Sequence, residues 1–308
     1  MAIRLRSGTV ADVETFTRLV NTQHQWLRGE DLWEVEELAS ILVTPSSDPV
    51  QYDRYLELDG EVVAGLHTHV SEPFTRAAIH LACPPGDHRI EYARQLLDAS
   101  QRILLSRPEI PANATIQVDV PQEDIDLGRL LISTGFRHTD DVVVLESEVA
   151  SSPPPTWPAG ILVKSLDVAT DLDLAFDVMR VSFMPEPGGW HISRADFSYM
   201  MLKDPTALDG LSVLAKRGDD PVGISINFAD TTRAETGLVG MLGVVPEARR
   251  LGLGRALLLE SMARIREQGW GHVRLATIIG HSASDLTFFQ SAGLEPIFIN
   301  QVYLKQIH

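Results

Sequence analysis

The chain has 308 residues, a net charge of −16 at pH 7, and 44% hydrophobic against 22% charged residues, enough for two domains with proper cores. That acidity argues against a general nucleic-acid or anionic-membrane surface. No apolar stretch approaches the length of a membrane-spanning helix, and Met1–Arg6 lacks the apolar block of a signal peptide, so a cytoplasmic location is expected.

In chain order, Ile3–Ser7 reads as a strand giving way to a helix after Val10-Ala11. Tyr55–Leu58 and Val62–Thr68 read as a hairpin around Asp59-Gly60, an Asp-Gly pair suited to a tight turn. His67 and His69 alternate onto one face of the second arm, with His80 on a neighbouring strand. No carboxylate or cysteine joins them at ligand spacing, so no metal site is expected. The single cysteine, Cys83, excludes an intrachain disulfide and reads as a small buried hydrophobe. The half ends at Thr134-Gly135-Phe136.

Residues 151–160, Ser-Ser-Pro-Pro-Pro-Thr-Trp-Pro-Ala-Gly, have the composition of an extended linker. Beyond it the pattern repeats. Ile161–Ser165 precedes Val168-Ala169, and Leu211–Lys216 and Val222–Phe228 form a second hairpin around Asp219-Asp220. Thr236–Val245 reads as a strand, Arg255–Gln268 as a helix, His272–Ile279 as a strand and Ser282–Ala292 as a short helix before Gly293-Leu294. The expected division is 1–150, a linker at 151–160, and 161–308.

The most informative segment is Val244–Leu258, where an apolar strand breaks into a basic, glycine-spaced turn and becomes a helix. Gly252 and Gly254 let backbone N–H groups approach an anion, and the helix that follows directs its positive end at the same point. Arg249, Arg250 and Arg255 add full charges around Leu251 and Leu253. A dinucleotide fingerprint is excluded because Leu257 stands where its third glycine belongs. A P-loop is excluded because the chain has no Gly-Lys-Ser/Thr.

The order strand, Arg249-x-x-Gly252-x-Gly254, helix, strand, helix resembles motif A and its frame in the GNAT acyltransferases. The resemblance implies tandem α/β domains, each a mixed, mostly antiparallel central sheet flanked by helices. It implies acetyl-CoA or a related acyl-CoA as co-substrate, with the pantetheine arm between two splayed strands and the pyrophosphate on Arg249 to Arg255. Leu242, Gly243 and Val244 would offer backbone groups to the pantetheine amides and the thioester carbonyl, and Ser282 and Phe289 would border the same ligand.

Acyl transfer needs a neutral amine, a polarised carbonyl and a proton for the leaving thiolate. The family's usual acid is a tyrosine at the position held here by Phe289, its usual glutamate falls at Leu238, and Ser282 stands in place of an asparagine. Glu235 is the candidate base. The acceptor pocket maps to Phe183–His191, where Trp190 and Glu186 suit a cationic or aromatic acceptor.

Set against this turn without a gap, Pro85–Arg94 places Glu91 opposite Gly252 and His88 opposite Arg249. A carboxylate there repels phosphate, so the N-terminal half reads as a degenerate copy. A tandem subfamily, the mycothiol synthases, shares that arrangement. The expected function is acetyl transfer to the amine of a small-molecule acceptor, with no nucleic-acid or membrane partner. Its rival is a non-catalytic acyl-CoA-binding sensor or scaffold. Sheets of this family often pair, which leaves a homodimer open.

Overall fold

The computed structural model describes residues 3–71, 74–111, 113–183, 192–208, 210–279 and 284–307. The chain forms two compact units, 1–141 with 299–308, and 142–298. Residues 151–160 lie within the second unit.

Unit 1 contains β1 (Ile3–Ser7), α1 (Val13–Arg28), α2 (Val35–Leu42), α3 (Pro49–Tyr52), β2 (Arg54–Leu58), β3 (Glu61–Ser71), β4 (Arg76–Ala82), α4 (Arg89–Leu105), β5 (Thr115–Pro121), α5 (Ile125–Ser133) and the start of β6 (Arg137–Glu148). Unit 2 takes the rest of β6, then β7 (Ile161–Ser165), α6 (Val168–Phe183), α7 (Arg194–Lys203), β8 (Val213–Arg217), β9 (Asp220–Ala229), β10 (Thr236–Val244), α8 (Leu253–Glu267), β11 (His272–Ile279), α9 (Ser284–Gln290) and the start of β12 (Glu295–Gln306). In unit 1 the strand order is β1-β2-β3-β4-β5-β12, and in unit 2 it is β6-β11-β10-β9-β8-β7. The β4/β5 and β10/β11 pairs are parallel. The adjacent pairs β1/β2, β2/β3, β3/β4, β7/β8, β8/β9 and β9/β10 are antiparallel. Residues Asn300–Gln306 complete unit 1 by antiparallel pairing with β5.

Each sheet carries helices on both faces, as period-2 alternation in its strands requires. In unit 1, Phe16, Leu19, Leu38 and Leu42 of α1 and α2 form one cluster, and Leu96, Leu97 and Leu104 of α4 join the other. In unit 2, Val178, Met179, Phe197 and Met201 of α6 and α7 pack with Ile224 and Ile226, while Leu253 and Leu257 of α8 pack with Val213 and Ala215. Beneath α8 lies a polar exception. Asn227, fully buried, donates to the Leu211 carbonyl (2.8 Å) and to Ser261 Oγ (3.1 Å), and accepts from Ser225 Oγ (2.9 Å). Every polar atom of that side chain is used, which fixes α8 against the sheet.

The first hairpin turns at Asp59 and Gly60, both left-handed, with φ of 49° and 94°. The second turns at Gly218-Asp219, one residue earlier than the sequence suggests, because Gly218 takes φ 61° and strand pairing already begins with Asp220 against Arg217. Among the described residues no helix is long and apolar enough to cross a membrane.

Candidate active site

The parallel pairing of β10 with β11 runs from Thr236–His272 to Val239–Leu275 and ends there. Both strands continue, β10 to Val244 and β11 to Ile279, so a wedge opens between them. At the point of divergence Gly240 is the extra residue of a β-bulge against β9, a device that bends a strand and breaks its pairing. Gly240 to Val244 leaves roughly 16 Å of strand edge available for hydrogen bonding. The resulting cleft has a volume of about 470 Å³, and β10, β11, α9 and the end of α6 line it.

At the mouth of the wedge the chain turns through Pro246–Ala248 into α8. Arg250 takes φ 64° and Gly252 takes φ 86°. Left-handed backbone costs an L-residue about 1–2 kcal/mol, and such strain gathers at ligand-binding sites. Here it turns successive N–H groups toward the start of α8, making a concave anion nest in front of a helix N-terminus.

The two glycines act differently. A Cβ on Gly252 would meet nothing within 4 Å, so its need is conformational. A Cβ on Gly254 would make ordinary contacts, 3.6 Å to Phe288 and 3.8 Å to Val244.

The structure gathers Leu242, Gly243, Val244, Arg249, Gly254 and Phe289 around the cleft. Leu251, Gly252 and Arg255 instead line a smaller cavity of about 310 Å³ with Trp157 and Pro158. Leu253 points into the core, and Arg250 is exposed. Arg249 is tied up: Nε donates to the Val244 carbonyl (3.0 Å) and Nη2 to the Ser182 carbonyl (2.8 Å), clipping the end of α6 to the end of β10. Arg255 donates to the Ser291 carbonyl at 3.2 Å.

Glu235 is exposed, at the opposite end of β10 from the turn, with φ 56°. Its carbonyl accepts from the Gly271 and His272 N–H groups. It lies four residues before Val239, roughly 13 Å of extended chain from where the wedge opens. Phe289 stands edge-to-face with Phe288, ring centroids 4.9 Å apart, and both line the cleft. Ser282, Glu186, Trp190 and His191 lie outside the described residues.

Ser182, Gly240, Thr277 and Phe288 also line the cleft and were not anticipated. The bulge depends on pairing with β9, and Ser182 comes from a helix remote in sequence. Only the Gly237, Gly240, Gly243 spacing inside an apolar strand signalled close approach there.

Unit 1 has the corresponding elements without the nest. β4 and β5 pair from Arg76–Thr115 to Ile79–Val118 and then part. No residue between Cys83 and Arg89 has positive φ, and α4 begins at once at Arg89. Arg89 Nε donates to the Cys83 carbonyl at 2.9 Å, the bond Arg249 makes in unit 2, so Arg89 rather than His88 is its counterpart. An ungapped alignment misses a turn shortened in this way. The Arg89 guanidinium also pairs with buried Asp124 and lies 5.0 Å from the Trp26 ring centre, and Gln23 Oε1 accepts from the Cys83 N–H at 2.7 Å. Burial pushes the Cys83 thiol up to about 12, an inert state. Glu91 is exposed and accepts from Gln95. His67 Nδ1 lies 3.0 Å from Asp53 and its ring stacks on His80. Among the described residues no group of three or more His, Cys, Asp or Glu gathers that suits a metal ion.

Splayed parallel strands, a bulge and a left-handed turn at a helix N-terminus together form a cleft with an anion nest at its mouth. The Acetyltransferase (GNAT) family matches residues 176–293. The chain therefore carries a GNAT domain over those residues. It is 28% identical over 152 residues to the mycothiol acetyltransferase of Rhodococcus erythropolis, covering 42% of this chain and 46% of that protein, about half the relative's length. It is 25% identical over 274 residues to the mycothiol acetyltransferase of Salinispora arenicola, covering 86% and 83%. Among solved structures, a GCN5-related N-acetyltransferase from Sphaerobacter thermophilus matches with TM-score 0.79 and 20% identity over 99% of this chain and 96% of that one. A tandem GNAT protein from the clavulanic acid biosynthesis pathway matches with TM-score 0.73 and 15% identity over 100% and 99%.

Proposed function

We propose that unit 2 binds acetyl-CoA or a related acyl-CoA and transfers its acyl group directly to an amine of a small-molecule acceptor. The observation that carries this reading is the wedge between β10 and β11 opening onto the left-handed turn at Arg250 and Gly252. The pantetheine arm would lie along the free edge Gly240–Val244 as an added strand does, and the pyrophosphate would meet the N–H groups at the start of α8. Ser282 would border the same ligand. The segment 183–191 would shape the acceptor pocket.

In this scheme the amine nitrogen attacks the thioester carbonyl, the C–S bond breaks, and the departing thiolate takes its proton from water, since Phe289 has none to donate. No covalent enzyme intermediate is involved. Glu235 would take the amine proton through intervening water. Residues 1–150 would act as a degenerate copy joined by 151–160 to an acyl-CoA-binding domain at 161–308. The acidic charge speaks against nucleic-acid and anionic-membrane partners, and a cytoplasmic location and pairing into a homodimer belong to the same proposal. A second reading, a non-catalytic acyl-CoA sensor, draws on Phe289 and Leu238.

Titration calorimetry with CoA and release of free thiol from acetyl-CoA across an amine panel, headed by acceptors related to mycothiol, separate these readings. Binding with acceptor-dependent thiol release is expected. Binding without release from any amine, and no change in Glu235→Gln, would leave the sensor reading. No binding of CoA would overturn both.

A further inference from the structure

Ser182 sits in the last turn of α6, and the whole residue is 5% exposed. Its hydroxyl is buried and has no hydrogen-bond partner among the described residues. A helical serine ordinarily satisfies its hydroxyl on a carbonyl one turn back, and buried hydroxyls without partners are rare because their desolvation is uncompensated. The backbone at this position is held in place, since Arg249 grips the Ser182 carbonyl and the Val244 carbonyl together. Residue 182 is part of the cleft lining, together with β10. A Cβ on Gly243 would lie 3.0 Å from both Ser182 Cβ and Ser182 Oγ, so glycine at 243 relieves a tight contact with the hydroxyl. The cleft walls around it are otherwise largely apolar, with Val239, Met241, Leu275 and both phenylalanines.

We infer that Ser182 is a ligand-binding residue whose hydroxyl donates to an amide carbonyl of the pantetheine arm of an acyl-CoA. The assignment rests on the co-substrate reading above and adds a chemical requirement to it. An alkyl chain in this cleft would leave the hydroxyl buried and unsatisfied, whereas an arm carrying amides completes it. Ser182 therefore selects for the amide-bearing segment, independently of the phosphates at the turn. The empty-handed hydroxyl is a cost carried by the free protein and removed on binding.

The test uses the whole chain, Ser182→Ala, and two probes measured by calorimetry: CoA, and adenosine 3′,5′-bisphosphate, which lacks the pantetheine arm. CoA affinity should fall about five- to tenfold, the effect of one lost hydrogen bond. Affinity for the bisphosphate should stay within about twofold of wild type on the same scale. The melting temperature of the free variant should be equal to or above wild type. Unchanged CoA affinity in the variant, with wild type binding CoA, overturns the Ser182 assignment alone. Parallel losses for both probes, or a lowered melting temperature, show a structural role and overturn it too. Wild type that does not bind CoA overturns the co-substrate reading and this assignment with it.

Discussion

Gly252 and Gly254 look equivalent in the motif, yet substituting alanine at each should give different outcomes. At Gly252 the new Cβ meets no atom within 4 Å, but φ is 86°, a conformation that costs an L-residue about 1–2 kcal/mol. Alanine also narrows the unfolded ensemble, which returns about 0.4–1 kcal/mol, so the net loss of stability should lie between about 0 and about 1.6 kcal/mol. The chain can escape the strain by rewinding the turn into an earlier helix start, the arrangement unit 1 adopts at Arg89. That would remove the nest, so CoA affinity should fall about tenfold or more, equivalent to about 1.4 kcal/mol. At Gly254 the Cβ makes contacts of 3.6–3.8 Å with Phe288 and Val244, ordinary van der Waals distances, and affinity should stay within about threefold of wild type. Calorimetric titration with CoA, paired with thermal unfolding, reads both terms. Equal losses in the two variants, or a Gly252→Ala protein with unchanged CoA affinity, would refute the conformational argument.

Three further outcomes are expected. Asn227→Leu strands the Leu211 carbonyl and a donor from Ser225 beneath α8, which should cost about 2–4 kcal/mol, visible as a lower urea midpoint; a change under about 0.5 kcal/mol would sink the claim that this network fixes the helix. Burial lowers His80 to about 3 and His24 to about 4, in each case with help from nearby positive charge. Both fold as neutral rings, so their contribution is complete above the ordinary histidine value near 6.5 and is lost as pH falls toward those lowered values. The unfolded state binds the extra protons in that window, and stability should drop by about 1.4 kcal/mol per pH unit for each ring. Denaturant midpoints between pH 7 and 4 check this, and His80→Phe should flatten the slope. Finally, Phe289→Tyr puts a phenol at the cleft wall and should raise the rate of acceptor-dependent thiol release about tenfold, within the range of general acid catalysis; no gain would show that leaving-group protonation does not limit the reaction.

The glycine turn was legible because its chemistry is local: φ above zero calls for glycine, a helix start attracts anions, and the apolar strand before it has a clear period. The hairpin at Asp59-Gly60 was legible for the same reason. What escaped was everything set by pairing partners distant in sequence. The bulge at Gly240 exists only relative to β9, and Ser182 reaches the cleft from a helix 58 residues upstream of it. The destination of Asn300–Gln306, beside β5, follows from no pattern within that strand, since its alternation suits any sheet edge. Arg249 also has a structural part that the sequence did not show. Motif and charge pointed to a phosphate contact, and the structure adds that two of its donors go to the carbonyls that hold the cleft's rim.

Unit 1 has a groove of the same origin and treats it differently. The strands still part after Ile79 and Val118, so divergence belongs to the fold and is not by itself evidence of a site. The difference lies in who satisfies the polar groups that divergence exposes. In unit 1 the chain does so itself: Gln23 takes the Cys83 N–H, Arg89 takes the Cys83 carbonyl, and the Arg89 charge is matched by Asp124 and covered by Trp26. In unit 2 the matching arginine is exposed, the turn is held open by left-handed backbone at Arg250 and Gly252, and the hydroxyl of Ser182 has no partner among the described residues. A groove that fills its own hydrogen bonds gains stability and loses the reason to bind, whereas one that keeps strain and an unmet hydroxyl is stabilised by whatever supplies them. Ligand-induced stabilisation should therefore arise in residues 142–298, and Gly252→Ala and Ser182→Ala should each weaken it by a separate route, one through the phosphates and one through the amide-bearing arm. Their effects on CoA binding should add within about 0.5 kcal/mol, the expectation for independent contacts with one ligand; strong coupling between them would mean that turn and cleft act as one element.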